Sequence, residues 1–199
     1  MTGGSTPPVL VITGPSGVGK GTLISELCRH FPDMRVSVSA TTRPPRSGER
    51  DGVQYHFLTP EEFERRVAAG EFLEHADYAG NRYGTLRSEV EEGPVVLEIE
   101  VQGARQVREA LPNAVQVFIA PPSVEALRER LLARGTDSPD GIRRRLEQAA
   151  DELRAQDEFQ HVVVNDDLAR ASAALSDLVA TIWPRPNRDR SGPNREGSP

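Results

Sequence analysis

An apolar run, Val9 to Thr13, leads directly into Gly14-Pro15-Ser16-Gly17-Val18-Gly19-Lys20-Gly21-Thr22, and a helical pattern opens at Lys20 with Leu23, Ile24 and Leu27 on one face. A buried strand that turns through glycines into a helix admits few architectures. In this context consecutive backbone N–H groups and a helix N-terminus surround phosphate oxygens, while the lysine reaches the transferring end. Side chains in place of the glycines would block that close backbone approach. Lys20 is also the one lysine among 24 basic residues; all the others are arginine. A glycine turn without a ligand is the plain alternative. The coincidence of strand, glycines, helix and sole ammonium stands against it.

One position departs from the common loop. Gly21 follows the lysine where Ser or Thr normally contacts magnesium, and Thr22 comes one place late. The expectation is therefore magnesium held through waters and carboxylates. The loop points to a nucleotide phosphate donor and leaves the acceptor open.

Around the loop, strand and helix patterns alternate. Strands are expected at 35–39, 95–100, 115–120 and 161–164, with short strands between Glu71 and Tyr83 around "AGNRYG". Helices are expected from Lys20 to His30, from Thr59 to near Gly70, and over about 102–110, 124–134, 142–156 and 167–182. Thr59, Pro60 and Glu62 read as a cap, a first helical residue and the acid of a capping box. Residues 40–54, rich in Pro, Gly, Arg and Thr, read as an ordered irregular loop. The alternation implies an α/β fold with a mainly parallel sheet. Residues 9–34, 93–120 and 146–183 form its discontinuous core, 35–92 an inserted region, and 121–145 a mobile arginine-rich lid. Residues 1–8 and 184–199 are expected to be a flexible and a disordered tail.

Other classes drop out on composition. A net charge of -6 over 199 residues excludes a globally basic nucleic-acid clamp. With one cysteine, Cys28, no intrachain disulfide is possible, and its helical context reads as a buried structural thiol. No apolar run approaches the ~20 residues of a membrane span. "MTGGSTPP" lacks the regions of a signal peptide. A soluble cytoplasmic protein, without nucleic-acid or membrane partner and either monomeric or a small homo-oligomer, is the expectation. His30, His56, His75 and His161 are dispersed and carry no metal-ligand spacing; His161 is the one placed near a donor pocket as an option.

A second anion site is written into 37–55. Arg43 and Arg46, separated by Pro44 and Pro45, can present guanidinium forks to one phosphate with little ordering cost. Glu49 can neutralise and orient one of them, and Tyr55 and Tyr83 add hydroxyl donors. A charged surface loop is the alternative. Glu74 can accept the neighbouring N1–H and N2–H donors of guanine, which adenine lacks. Ser39 and Thr85 can complete the base contacts. On the residues alone, a strand-edge glutamate is an equally good reading of Glu74.

"GPSGVGKGT", "SVSATTRPPRSGERDG", "EFLEHADYAGNRYGT", "LEIEVQGARQV", "RLLARGTDSP…IRRRL" and "VVVNDDL" together resemble guanylate kinase, from about Pro8 to Trp183. The resemblance implies a P-loop kinase core with an inserted GMP-binding region and a helical lid. It also implies phosphoryl transfer from ATP to GMP or dGMP, giving ADP with GDP or dGDP, assisted by magnesium. By that resemblance Arg43, Arg46, Tyr55 and Tyr83 bind the GMP phosphate, Glu49 supports the arginines, and Ser39, Glu74 and Thr85 read guanine. Arg130, Arg134 and Arg145 match lid positions around the transferring group, acting with Lys20. Asn165 resembles a residue near the donor adenine. Glu98 and Glu100 occupy a strand-end acidic pair that reaches GMP, Lys20 or the water shell of magnesium, with Glu100 standing where the family usually has Asp. Gly21 is a second departure, in a Gly-Thr pair that resembles adenylate kinase loops.

A related small-molecule kinase, such as a ribose bisphosphate kinase, is the nearest alternative. A non-catalytic guanylate-kinase-like scaffold module and a regulatory GTPase fit less well. The first keeps no intact nucleotide site, and the second needs an NKxD reader where this chain has "VNDD".

Overall fold

The computed structural model describes residues 8–78, 80–133 and 139–183. Of the expected tails at 1–8 and 184–199 all but Pro8 lie outside the described residues, as does Arg134.

Five strands, β1 (Val9–Thr13), β2 (Arg35–Val36), β7 (Val95–Glu98), β8 (Val115–Ala120) and β9 (His161–Val164), form a parallel sheet in the order β2-β7-β1-β8-β9. Their near-continuous apolar sequences follow from burial on both faces. Leu10, Ile12, Val96, Val117 and Ile119 pack on one face with Leu23, Leu27 and Leu175, whereas Val9, Val11, Val95, Leu97 and Phe118 pack on the other with Ala104 and Val107. These partners belong to α1 (Lys20–His30) and α6 (Leu168–Ile182) on the first face, and to α3 (Val101–Ala110) on the second. Parallel strands aim all their C-terminal ends the same way. Ligands in open α/β sheets bind at that rim.

A second sheet has the order β4-β3-β6-β5, from β3 (Ala40–Thr41), β4 (His56–Phe57), β5 (Phe72–Tyr78) and β6 (Asn81–Leu86). Helix α2 (Pro60–Ala68) covers it, with Phe63 stacked on Phe72 at 4.4 Å between ring centroids. Helices α4 (Val124–Ala133) and α5 (Pro139–Arg154) flank the rim of the main sheet.

Several boundaries differ from the sequence expectation. Strand β2 stops at Val36, and β3 forms inside the stretch read as irregular loop, because Ala40 and Thr41 find partners in Gly84 and Tyr83. The capping box is half made: Thr59 Oγ1 accepts from Glu62 N at 3.1 Å, but the Glu62 carboxylate is held by Arg65 and Arg66. Glu100 does not end a strand; it is the N-cap of α3. Helix α5 runs from Pro139 to Arg154 and so starts and ends a little earlier than the expected 142–156. His161 opens β9, at the end of the strand away from the phosphate loop, which removes it from a donor pocket. Cys28 is half-buried against the core, and burial raises its thiol pKa.

Candidate active site

The phosphate loop joins β1 to α1 at the rim. Two of its glycines are dictated by space as well as by their positive φ. A Cβ on Gly14 (φ 140°) would stand 2.2 Å from the Ile119 carbonyl oxygen, and one on Gly19 (φ 100°) 2.6 Å from Asn165 Nδ2. Pro15 and Val18 are buried in the frame of the loop, which is closed by Val18 N donating to Pro15 O at 3.1 Å. Lys20 is buried, and its Nζ donates to Gly14 O at 2.6 Å. The ammonium is thus folded back over the loop, within reach of any oxygen bound there.

Three elements brace this loop from outside. Asn165, just beyond β9, donates from Nδ2 to Val18 O at 2.8 Å. Arg130 of α4 donates to the same carbonyl at 3.2 Å and to Asn165 O at 2.7 Å. Arg145 of α5 donates to Ser16 Oγ at 3.3 Å. Asn165, which the resemblance relates to a residue near the donor adenine, is buried with its amide turned onto the loop. The sequence pattern "VNDD" carries no sign of that, because the contact spans 147 residues.

Opposite the loop, Arg43 and Glu49 make a two-pronged pair, with both N–O distances 3.0 Å, and Arg46 N donates to Glu49 Oε2 at 2.7 Å. The Arg43 guanidinium holds the Glu49 carboxyl below the usual carboxylate range. Arg43 also lies 5.3 Å over the Tyr55 ring, and Tyr55 packs edge-on to Tyr83 at 5.9 Å. Burial raises the Tyr55 hydroxyl pKa, so it stays a hydrogen-bond donor. The Arg46 side chain is exposed and makes no hydrogen bond among the described residues. One guanidinium is fixed and one is left for a ligand.

Glu74 is buried on β5, and its Oε1 accepts from Thr85 Oγ1 of β6 at 2.7 Å. Burial pushes its pKa up to about 7, opposed by the Thr85 hydrogen bonds and reinforced by the Glu100 charge. Glu98 faces the open cavity. The surrounding protein still raises its carboxyl, with Lys20 opposing and Glu100 assisting. Two residues that sequence reasoning missed join this acidic end. Glu152 of α5 is buried against Glu100, and burial together with that charge drives its carboxyl well upward. Tyr78 of β5 shares the cavity wall with Ser16, and burial likewise raises its hydroxyl pKa. A signal existed for the burial of Glu152: it falls three residues after the buried Ala149 on α5 and three before Ala155, which is buried just past the end of the helix.

A cavity of about 750 Å³ joins these groups. Its wall includes Ser16, Gly17, Gly19, Lys20, Gly21 and Thr22 at one end, and Ser39, Arg43, Arg46, Glu49, Tyr55, Glu74 and Tyr83 at the other. Glu98, Glu100, Tyr78, Arg130 and Arg145 stand between them. Gly14, Pro15, Val18, Thr85 and Asn165 support this wall from behind. A cation-rich cleft that joins a phosphate loop to a second guanidinium site is suited to holding two anionic phosphates end to end.

A family model for guanylate kinase matches residues 6–182. The chain belongs to the guanylate kinase family. Guanylate kinase of Symbiobacterium thermophilum is 54% identical over 176 residues, covering 86% of this chain and 83% of that protein. Guanylate kinase of a Synechococcus strain is 54% identical over 177 residues, covering 86% and 93%. Among solved structures, guanylate kinase from Anaplasma phagocytophilum superposes with a TM-score of 0.69 at 33% identity, covering 89% of this chain and 87% of that one. No described helix is long and apolar enough to cross a membrane.

Proposed function

We infer that the protein is an ATP:GMP phosphotransferase, taking GMP or dGMP to GDP or dGDP in purine nucleotide metabolism. The observation that carries this is one continuous cavity with a phosphate-loop lysine at one end and Arg43, Arg46 and Glu74 at the other, in a member of the guanylate kinase family. The GMP phosphate is already a nucleophile, so the chemistry needs alignment and charge stabilisation more than a base.

In this reading residues 14–22 cradle the ATP phosphates. Lys20 exchanges the Gly14 carbonyl for phosphate oxygen and follows the negative charge as it moves to the acceptor. Arg43, oriented by Glu49, and the exposed Arg46 grip the GMP phosphate, with Tyr55 and Tyr83 donating beside them. Glu74, braced by Thr85 and helped by Ser39, accepts the two guanine donors. Arg130, Arg134 and Arg145 belong to a lid over 121–145 that closes on the transferring group and excludes water, which would otherwise spend ATP. Asn165 serves the donor side by fixing Val18.

Magnesium fits the donor chemistry between the two ends. Glu98 opens to the cavity and Glu100 Oε2 is buried without a hydrogen-bond partner among the described residues, so hard oxygens are at hand. Among the described residues no three His, Cys, Asp or Glu side chains converge on a metal. Glu98 and Glu100 would therefore hold the ion through its waters. Bound with ATP, magnesium would screen the charge on the phosphates. A reducing, cytoplasmic setting belongs to the same reading and accords with the lone Cys28.

A coupled ADP-release assay with ATP and a panel of GMP, dGMP, AMP and a ribose bisphosphate tests the assignment. Turnover confined to GMP and dGMP is expected. Turnover confined to a non-guanine acceptor overturns it.

A further inference from the structure

Helix α3 contributes nothing to the cavity wall, yet it lies directly behind Glu74. A Cβ on Gly103 would stand 2.3 Å from Glu74 Oε2 and 3.0 Å from its carboxyl carbon. The Oε2 edge of the carboxylate is therefore pressed against the helix at Gly103. Gly103 is not among the glycines with positive φ, so backbone conformation does not call for glycine there. In a helix interior glycine costs about 1 kcal/mol relative to alanine. The space taken by Glu74 is what the structure gains in return.

One turn further along α3, Gln106 grips the next residue of β5. Its Oε1 accepts from His75 N at 3.1 Å, and its Nε2 donates to His75 O at 2.7 Å. Strand β5 is the edge of its sheet, so this side-chain amide takes the place of a neighbouring strand. The ladder to β6 does not fix Glu74 by itself, because the β5–β6 register shifts between Phe72 and Glu74. Thr85 holds Oε1 from the front, and α3 limits Oε2 from behind.

We propose that Gly103 and Gln106 are positioning residues which set the reach and tilt of the Glu74 carboxylate, so that base selectivity is fixed partly by a helix that never touches substrate. The proposal rests on Glu74 as the guanine reader. A carboxylate that accepts two neighbouring N–H donors must lie coplanar with the base edge, and a methyl group at 103 pushes one of its oxygens out of that plane. The loss then falls on the pairing with the 2-amino group. IMP, which lacks that group, reports it directly.

G103A, Q106L and E74Q are compared with the parent protein for KM and kcat on GMP, IMP and ATP. For G103A the KM for GMP should rise about 10-fold and the GMP-over-IMP preference in kcat/KM fall about 10-fold, the cost of one mispaired hydrogen bond. The KM for ATP should stay within about twofold, since P-loop contacts are untouched, a split that general damage to the fold would not give. Q106L should move the same ratios in the same direction by about threefold, the loss of a neutral hydrogen-bond pair acting at one remove. If G103A does not fold, Q106L decides by the same criterion. An unchanged GMP-over-IMP preference in the folded variants, or equal rises in both KM values, overturns the proposal. If E74Q itself leaves that preference unchanged, the guanine-reading role fails and the proposal with it. If E74Q abolishes the preference while G103A and Q106L keep it, only the positioning role is lost.

Discussion

Replacing Glu74 with glutamine should weaken the enzyme and strengthen the protein at once. Glu74 is buried at 4% exposure, and its pKa is pushed up to about 7 from a reference of 4.5. The folded state therefore keeps a proton that the unfolded chain releases, and stability falls as pH rises from about 4.5 to 7. The difference of about 2.5 pH units, at 1.36 kcal/mol each, amounts to roughly 3 kcal/mol at pH 8. Glutamine carries no charge to desolvate, and its carbonyl can still accept from Thr85 Oγ1. E74Q should thus gain about 3 kcal/mol at pH 8, some 6–12 °C in Tm for a chain of this size, and gain little near pH 4.5. Its kcat/KM for GMP should fall on the order of 100-fold, because one guanine donor then meets an amide N–H. The assay is thermal or urea unfolding of both proteins between pH 4.5 and 8, with kinetics on the same samples. An E74Q protein no more stable than its parent at pH 8, or a gap independent of pH, would refute the desolvation argument.

Three further outcomes follow from the site. K20M should cut kcat on the order of 100-fold with little change in KM for GMP, since the ammonium serves the moving charge; near-native turnover in the coupled assay would sink that role. G21S should be tolerated, because a Cβ there meets only Glu98 Oε2 at 4.0 Å. It should raise Tm by about 1–2 °C on helix propensity and lower the magnesium concentration needed for half-maximal rate, and a drop in Tm would contradict the space found. E49Q should loosen the Arg43 fork and raise KM for GMP about 3–10-fold while KM for ATP holds; equal effects on both substrates would show that Glu49 does not act through the acceptor site.

The legibility of this chain follows the range of the interactions involved. The phosphate loop is local. Strand β1, the Gly14–Thr22 turn and α1 lie within 22 consecutive residues, so chain order alone places backbone N–H groups and Lys20 around one anion site. The Arg43–Glu49 pair is local too, six residues apart, and the main strands announce themselves as apolar runs buried on two faces. The motifs quoted for the guanylate kinase resemblance are of this kind. Short strands such as β3 stayed hidden, because two residues carry no periodicity and Ala40 becomes a strand only when Gly84 arrives beside it. The spacing on α5 can show that Glu152 is buried, but nothing near Glu152 or Tyr78 in sequence shows that they approach Glu100 and Ser16.

The sequence by itself determined that residues 14–22 carry the pattern of a phosphate-binding loop, that the chain alternates strand and helix, and that residues 43–46 carry paired arginines. Tertiary structure decided what each charged group is worth. Asn165 became a brace because β9 ends against Val18, Glu98 and Glu100 differ because one stands on a strand and the other caps a helix, and Glu74 is raised because β5, β6 and α3 remove its water. Hydrogen-bonding partners and desolvation are set by neighbours distant along the chain, and only the folded molecule brings those neighbours together.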